Sequence, residues 1–327
     1  MEGSNGIRTC SFPFSILLAT VVLLSACSSL PKEQPPAKGK KAQAADFASF
    51  GKEYFTEGRY KDALTFFSYA LRQQVLADNR EGIIDSYFDI GRCRLELKEF
   101  EEARQAFSDG LMLAEKEGLV GKQARGKILL GEFYLATDDE KKAGILLQEA
   151  SEILPSDEKQ YTRERAVAYH DRGILMRRQG DLEKAEEFLI SSLAINRREK
   201  AREEEANNLY MLASVATASR QYEKADELLQ EALLIDRALE RSLAIADDLY
   251  AIAIVAEKRN DNDEAYTSFS QCFMIYQAME RLDSAIEVLH RLSALAEALG
   301  DEENAFRYEA AAQKLEQRGK QSDDEIE

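Results

Sequence analysis

Small and large apolar residues follow one another along this chain in an order that repeats about every 40 residues. Seven alanines mark the period: Ala63, Ala103, Ala143, Ala185, Ala225, Ala265 and Ala305, at spacings of 40, 40, 42, 40, 40 and 40. Twelve residues before each stands a small residue: Gly51, Gly91, Gly131, Gly173, Ala213, Ala253 and Ser293. Seven residues after each stands another: Ala70, Gly110, Ala150, Ser192, Ala232, Cys272 and Ala312. Large apolar residues fill the positions between. Phe50, Ile90, Leu130, Leu212, Ile252 and Leu292 immediately precede the first small site, with Arg172 as the exception. Phe67, Phe107, Leu147, Leu189, Leu229 and Phe269 lie four past the alanine. Spacings of four and seven share one face of an α-helix, and small side chains let two helices cross closely. The pattern therefore predicts seven helical hairpins, with helices of about 17 residues or roughly 25 Å.

The punctuation agrees. Gly58, Asp138, Gly180, Asn260 and Gly300 fall between paired helices, and these residue types tolerate the left-handed conformation at a helix end. Tyr60, Phe100, Leu182 and Tyr222 follow as apolar anchors of the second helix. Beyond Pro36 the sole proline is Pro155, so little interrupts a helical reading of the rest.

Phe47-Phe50-Gly51-Tyr54 followed by Ala63-Phe67-Ala70 resembles the tetratricopeptide repeat. So does Leu130-Gly131-Tyr134 with Ala143-Leu147-Ala150 and Pro155. The 40-residue period is similar to the long-helix members that resemble kinesin light chains. The resemblance implies an all-α fold, a right-handed α-solenoid of about seven repeats, framed at 44–83, 84–123, 124–165, 166–205, 206–245, 246–285 and 286–318. Gly51, Gly91, Gly131 and Gly173, with Ala63, Ala70, Ala103, Ala143, Ala185, Ala225, Ala265 and Ala305, are the expected packing positions. Glu309, where other repeats place Phe or Leu, suits a terminal cap that meets water. Residues 319–327 read as a disordered acidic tail.

The first 36 residues are different in kind. Ile16 to Leu24 is largely apolar but too short to cross ~30 Å of hydrocarbon, and its length suits a signal segment. Leu24-Ser25-Ala26-Cys27 follows and resembles the lipobox of bacterial lipoproteins. That resemblance implies cleavage of 1–26 and a covalent lipid on Cys27. An ordinary secretory signal cut after Ala26 is the alternative. Ser28, in place of an aspartate, implies sorting to the outer membrane of a two-membrane cell; it does not choose the face of that membrane, and the periplasmic side is the expected one. Residues 27–43, with Pro31, Pro35, Pro36, Lys32, Lys38, Lys40 and Lys41, read as a tether.

A formal charge of −17 argues against a nucleic-acid partner, which would require a basic surface. The inventory of reactive groups is short. His170 and His290, the only histidines, stand three repeats apart and are not placed to share a metal or a substrate. Cys93 and Cys272 fall in apolar and small-residue columns and read as structural. No enzyme activity, no metal and no cofactor beyond the lipid are expected. A column three residues before each first small site reads Ala48, Phe88, Ile128, His170, Tyr210, Tyr250, His290. In the family that column points into the concave groove, which implies that Phe88, His170, Tyr210, Tyr250 and His290, together with Asn207, contact a partner. The alternative turns the stripe into the core between repeats. The expected function is a membrane-anchored scaffold that binds a protein or peptide along the groove. The other reading is a regulatory receptor that senses a peptide or a cell-wall fragment.

Overall fold

The computed structural model describes residues 39–155 and 159–324. The signal segment 1–26, Cys27 and the tether as far as residue 38 lie outside the described residues. Among those described there are fourteen α-helices, one short 3-10 turn at Lys159–Tyr161, and no strand.

The helices pair in chain order. The first pair is α1 (Lys40–Thr56) with α2 (Tyr60–Leu76), the second α3 (Arg80–Glu96) with α4 (Phe100–Lys116), and the third α5 (Val120–Ala136) with α6 (Glu140–Ile153). The fourth is α7 (Thr162–Arg178) with α8 (Leu182–Glu199), and the fifth α9 (Arg202–Ala218) with α10 (Tyr222–Ala238). The last two are α11 (Ser242–Arg259) with α12 (Asn262–Ala278) and α13 (Leu282–Ala298) with α14 (Glu302–Asp324). Together they form a right-handed α-solenoid.

Each first helix begins four residues before the frame read from the sequence, at Lys40 instead of residue 44 and at Arg80 instead of residue 84. The frames were set by small residues at crossings, and the polar opening turn of each first helix carries no such mark. Residues 40–43 are accordingly helix and not tether. Of the expected tail 319–327, residues 319–324 continue α14 and are helical, and 325–327 lie outside the described residues.

The small sites do what close crossings require. Ala63, Ala103, Ala143, Ala185, Ala225 and Ala265 have no exposed surface. A methyl group placed on Gly173 would stand 2.6 Å from Leu189, and one on Gly131 would stand 2.8 Å from Leu147. The first small site thus receives the large residue four past the alanine of its own hairpin, so glycine there sets the helix–helix distance. Arg172, the outlier in the apolar column, lies with its guanidinium 4.2 Å from the centre of the Phe188 ring.

Among the described residues twelve turns end in a left-handed residue. Gly58, Asp138, Gly180, Asn260 and Gly300 are among them, as expected, but so are Asp78, Lys98, Gly118, Lys200, Arg220, Glu240 and Glu280. After each, a backbone N–H reaches back to the preceding helix, as Glu99 N does to Arg94 O at 2.9 Å and Asp181 N to Met176 O at 2.9 Å. The exception is the junction at Pro155, where α6 stops early and the 3-10 turn leads into α7.

Candidate functional site: the concave face

First helices of successive pairs touch one another, α3 with α5, α5 with α7 and α7 with α9, whereas successive second helices make no contact of comparable extent. First helices therefore line the inside of the curve and second helices its outside. On a helix each residue turns by 100°. The residue after the first small site therefore points away from its partner helix and towards the open side. That column reads Lys52, Arg92, Glu132, Ile174, Ser214, Ile254 and Ala294, none of them buried. It is the floor of the concave face.

The stripe three residues before the small site is only 60° from the partner helix on the same count, and it divides. Phe88 has no exposed surface; it fills the space left by Gly110 of its own hairpin and abuts Gly126 of the next first helix. Ile128 is buried as well. Phe88 is therefore a core residue and not a groove contact. His170, Tyr210 and Tyr250 are half-buried, and His290 is exposed. His170 Nδ1 lies 3.0 Å from Asn208 Nδ2, and burial pushes the imidazole down to about 4, so the ring is neutral. Tyr250 donates to Glu287 on the next first helix. His290 lies 3.0 Å from Glu309, in a shallow depression shared with Asp283, Ile286, Glu287, Arg291 and Glu316. Asn207 is exposed and accepts from Arg241 Nη2 at 3.2 Å.

Polar groups join the first helices to one another. Arg125 on α5 pairs with Asp85 at 3.0 Å and Asp89 at 3.6 Å on α3. Further along the balance fails. Partial covering from water raises the carboxyl of Glu132, against the opposing pull of Arg92 and Arg125. Asp171, on α7, is held well above the usual carboxylate range by burial and by Glu132. Asp171 Oδ2 and, two turns on, Arg177 Nε are buried without a hydrogen-bond partner. Buried polar atoms almost always have partners, so Asp171 Oδ2 can accept from, and Arg177 Nε donate to, a group from outside the chain. Position in the repeat, one past and two before the small site, was the signal for Glu132 and Asp171; the sequence reading followed the aromatic stripe instead.

A second acidic pair lies between α10 and α11. Asp236 and Asp248 are both 2% exposed, and Arg241 reaches Asp236 at 3.0 Å. Burial, and then Asp236 close by, push Asp248 up to about 8. In the unfolded chain such a carboxyl titrates near about 4. Between these values the folded chain holds a proton that the unfolded chain has released, so stability falls as pH rises through that window. Each pH unit there costs up to about 1.4 kcal/mol. Asp248→Asn is expected to narrow the difference in melting temperature between about pH 5 and about pH 8. An unchanged difference would show that Asp248 ionises as freely in the folded chain as in the unfolded one.

Cys93 and Cys272 are free and have no exposed surface, and burial pushes both thiols up to about 12. Among the described residues no group of three or more His, Cys, Asp or Glu side chains is placed to hold a metal ion, and no helix is long and apolar enough to cross a membrane.

Residues 84–117 and 206–239 match the family model of the tetratricopeptide repeat, and they cover the pairs α3–α4 and α9–α10. These two segments are tetratricopeptide repeats. The quorum sensor NprR from B. thuringiensis has a similar structure, with a TM-score of 0.64 at 14% identity over 84% of this chain and 77% of that one. The Rap conjugation gene regulator of plasmid pLS20, solved in complex with the Phr* peptide, gives 0.63 at 15% identity over 84% and 74%. BtubC from P. vanneervenii gives 0.59 at 22% identity over 68% and 92%. At these identities the likeness is one of fold. No curated protein matches the sequence. The other pairs are packed helical hairpins in the same chain order.

Proposed function

We propose that this protein is an envelope scaffold, lipid-anchored through Cys27, that binds an extended protein segment along its concave face. The observation that carries the binding reading is the inner surface of α5 and α7. There Glu132 and the buried, unpartnered Asp171 Oδ2 lie on adjacent first helices. Half-buried His170, Tyr210 and Tyr250 continue the same side, and such side chains offer apolar area with a polar tip. Carboxyl groups partly or wholly withdrawn from water suit a partner that brings a cationic or donor group to them. A solved relative of this fold holds a peptide, which supports the class of ligand. Anchoring adds to a modest intrinsic affinity by raising the local concentration of the scaffold.

Glu132→Gln with Asp171→Asn is expected to lower partner capture in the envelope by about tenfold or more, at a cost of ≥1.4 kcal/mol. Tyr210→Ala with Tyr250→Ala is expected to do the same through lost apolar contact. Leu234→Ser, on the outer helix α10, serves as control. Capture that survives both inner-face pairs and is lost in the control would place the binding surface on the outside. A small-peptide receptor would differ in one readout, a rise in melting temperature on adding the peptide alone.

A further inference from the structure

The two ends of the array are unlike. Phe47, Phe50 and Tyr54 on α1 and Phe66 and Tyr69 on α2 form one aromatic cluster in the first pair. Phe50 and Phe66 have ring centres 5.6 Å apart, Tyr54 stacks on Phe66 at 5.2 Å, and Phe47 lies 5.5 Å from Tyr69. Phe50 is 48% exposed, while its equivalents Ile90, Leu130, Leu212, Ile252 and Leu292 are all buried beneath the preceding pair. Tyr69 is 47% exposed, and its equivalents in the next four pairs are Asp109, Glu149, Ser191 and Glu231. A repeat array needs polar end surfaces to stay soluble. This end presents aromatic rings where a further repeat would sit.

Charge and chain length say what covers it. Between residues 28 and 76 there are eight Lys and Arg against five Asp and Glu, in a protein whose overall charge is −17. The acidic body is repelled by an anionic surface and this end is drawn to one. Twelve residues, 28–39, separate Cys27 from α1, a reach of at most about 42 Å. Phe and Tyr rings flanked by lysines are suited to the boundary between headgroups and acyl chains.

We infer that the aromatic face of α1 and α2 docks on the headgroup region of an anionic bilayer, so that the solenoid stands on the membrane by its first repeat. This rests on the lipid anchor at Cys27. Docking fixes the angle at which the concave face is presented, which a tether alone would leave free.

The chain contains no tryptophan, so one introduced indole reports alone. The full-length lipidated chain carrying Phe50→Trp, and separately Tyr69→Trp, is reconstituted in vesicles of phosphatidylcholine with phosphatidylglycerol. Phe306→Trp, at the far end where Phe306 is 76% exposed, is the control. The expected result is a blue-shifted emission from both first-pair probes and severalfold quenching by lipids brominated along the acyl chain, with neither effect in the control. A chain that floats with the vesicles but whose first-pair indoles escape bromolipid quenching overturns docking and leaves the anchor intact. A blue shift that grows with protein density and ignores brominated lipid assigns the face to a second copy of the chain, and also overturns docking. A chain that does not float overturns the anchor, and docking with it.

Discussion

Replacing Phe269 with alanine is expected to cost about 3–5 kcal/mol and to loosen the C-terminal three pairs before the rest. Phe269 on α12 has no exposed surface and belongs to the largest apolar cluster, which runs from Ala213 to Leu295. Its ring meets that of Tyr250 edge-on at 5.7 Å. Truncation removes this contact and leaves a cavity against Ala253, where the small site was shaped to receive a large partner. A repeat array is held by contacts between neighbours, so the damage stays local. Amide exchange in α9 to α14 is expected to accelerate, with α3 to α6 little changed. Phe306→Ala, at an exposed site on α14, is expected to fall within about 0.5 kcal/mol of the parent. Uniform acceleration along the chain would contradict a neighbour-coupled array and point to one cooperative core.

The second large effect concerns the anchor. In cells, Cys27→Ser is expected to abolish incorporation of a fatty-acid label and to shift the body from the membrane fraction to the soluble one. The change should be near complete, because the apolar run Ile16–Leu24 is too short to hold the chain across ~30 Å of hydrocarbon. Retention of both label and fractionation in the variant would remove Cys27 as the attachment point. Loss of label with continued sedimentation would instead indicate that binding by the body itself holds the protein at the membrane, as the aromatic first repeat is suited to do.

Much of the architecture was legible because close packing leaves a chemical trace. Gly131 and Gly173 could be placed from sequence because a side chain there would collide with Leu147 or Leu189. Seven alanines in register could be read the same way. The opening turn of each first helix left no trace, since Lys40 or Arg80 meets water whether the backbone is helix or linker, and every frame began four residues late. Turns showed the same limit. Gly180 and Asn260 announce a left-handed residue, but Lys98, Arg220 and Glu240 adopt that conformation because the helices on both sides impose it.

The inner face was half legible. Composition drew the reading to an aromatic stripe, and the structure turns Phe88 and Ile128 of that stripe into the core while leaving His170, Tyr210 and Tyr250 half-buried beside the groove. What decides is the neighbour. Gly110 opens a pocket that Phe88 occupies, and no feature of Phe88 itself announces that. Glu132 and Asp171 were not singled out, because a charged residue on a helix ordinarily faces water. Their importance comes from α5 and α7 lying side by side, which sets a buried Asp171 beside a partly covered Glu132 of the preceding repeat.

Binding along the inner curve is tested most directly by photocrosslinking in the native cell. A photoreactive residue is placed at Ser214, on the floor of the concave face, or at Leu234, exposed on the outer helix α10. The expected result is a discrete polypeptide adduct from Ser214 that disappears when Glu132→Gln and Asp171→Asn are added, with none from Leu234. Adducts from Leu234 alone, or adducts from Ser214 that are indifferent to the two carboxyl substitutions, would contradict a concave-face binding site.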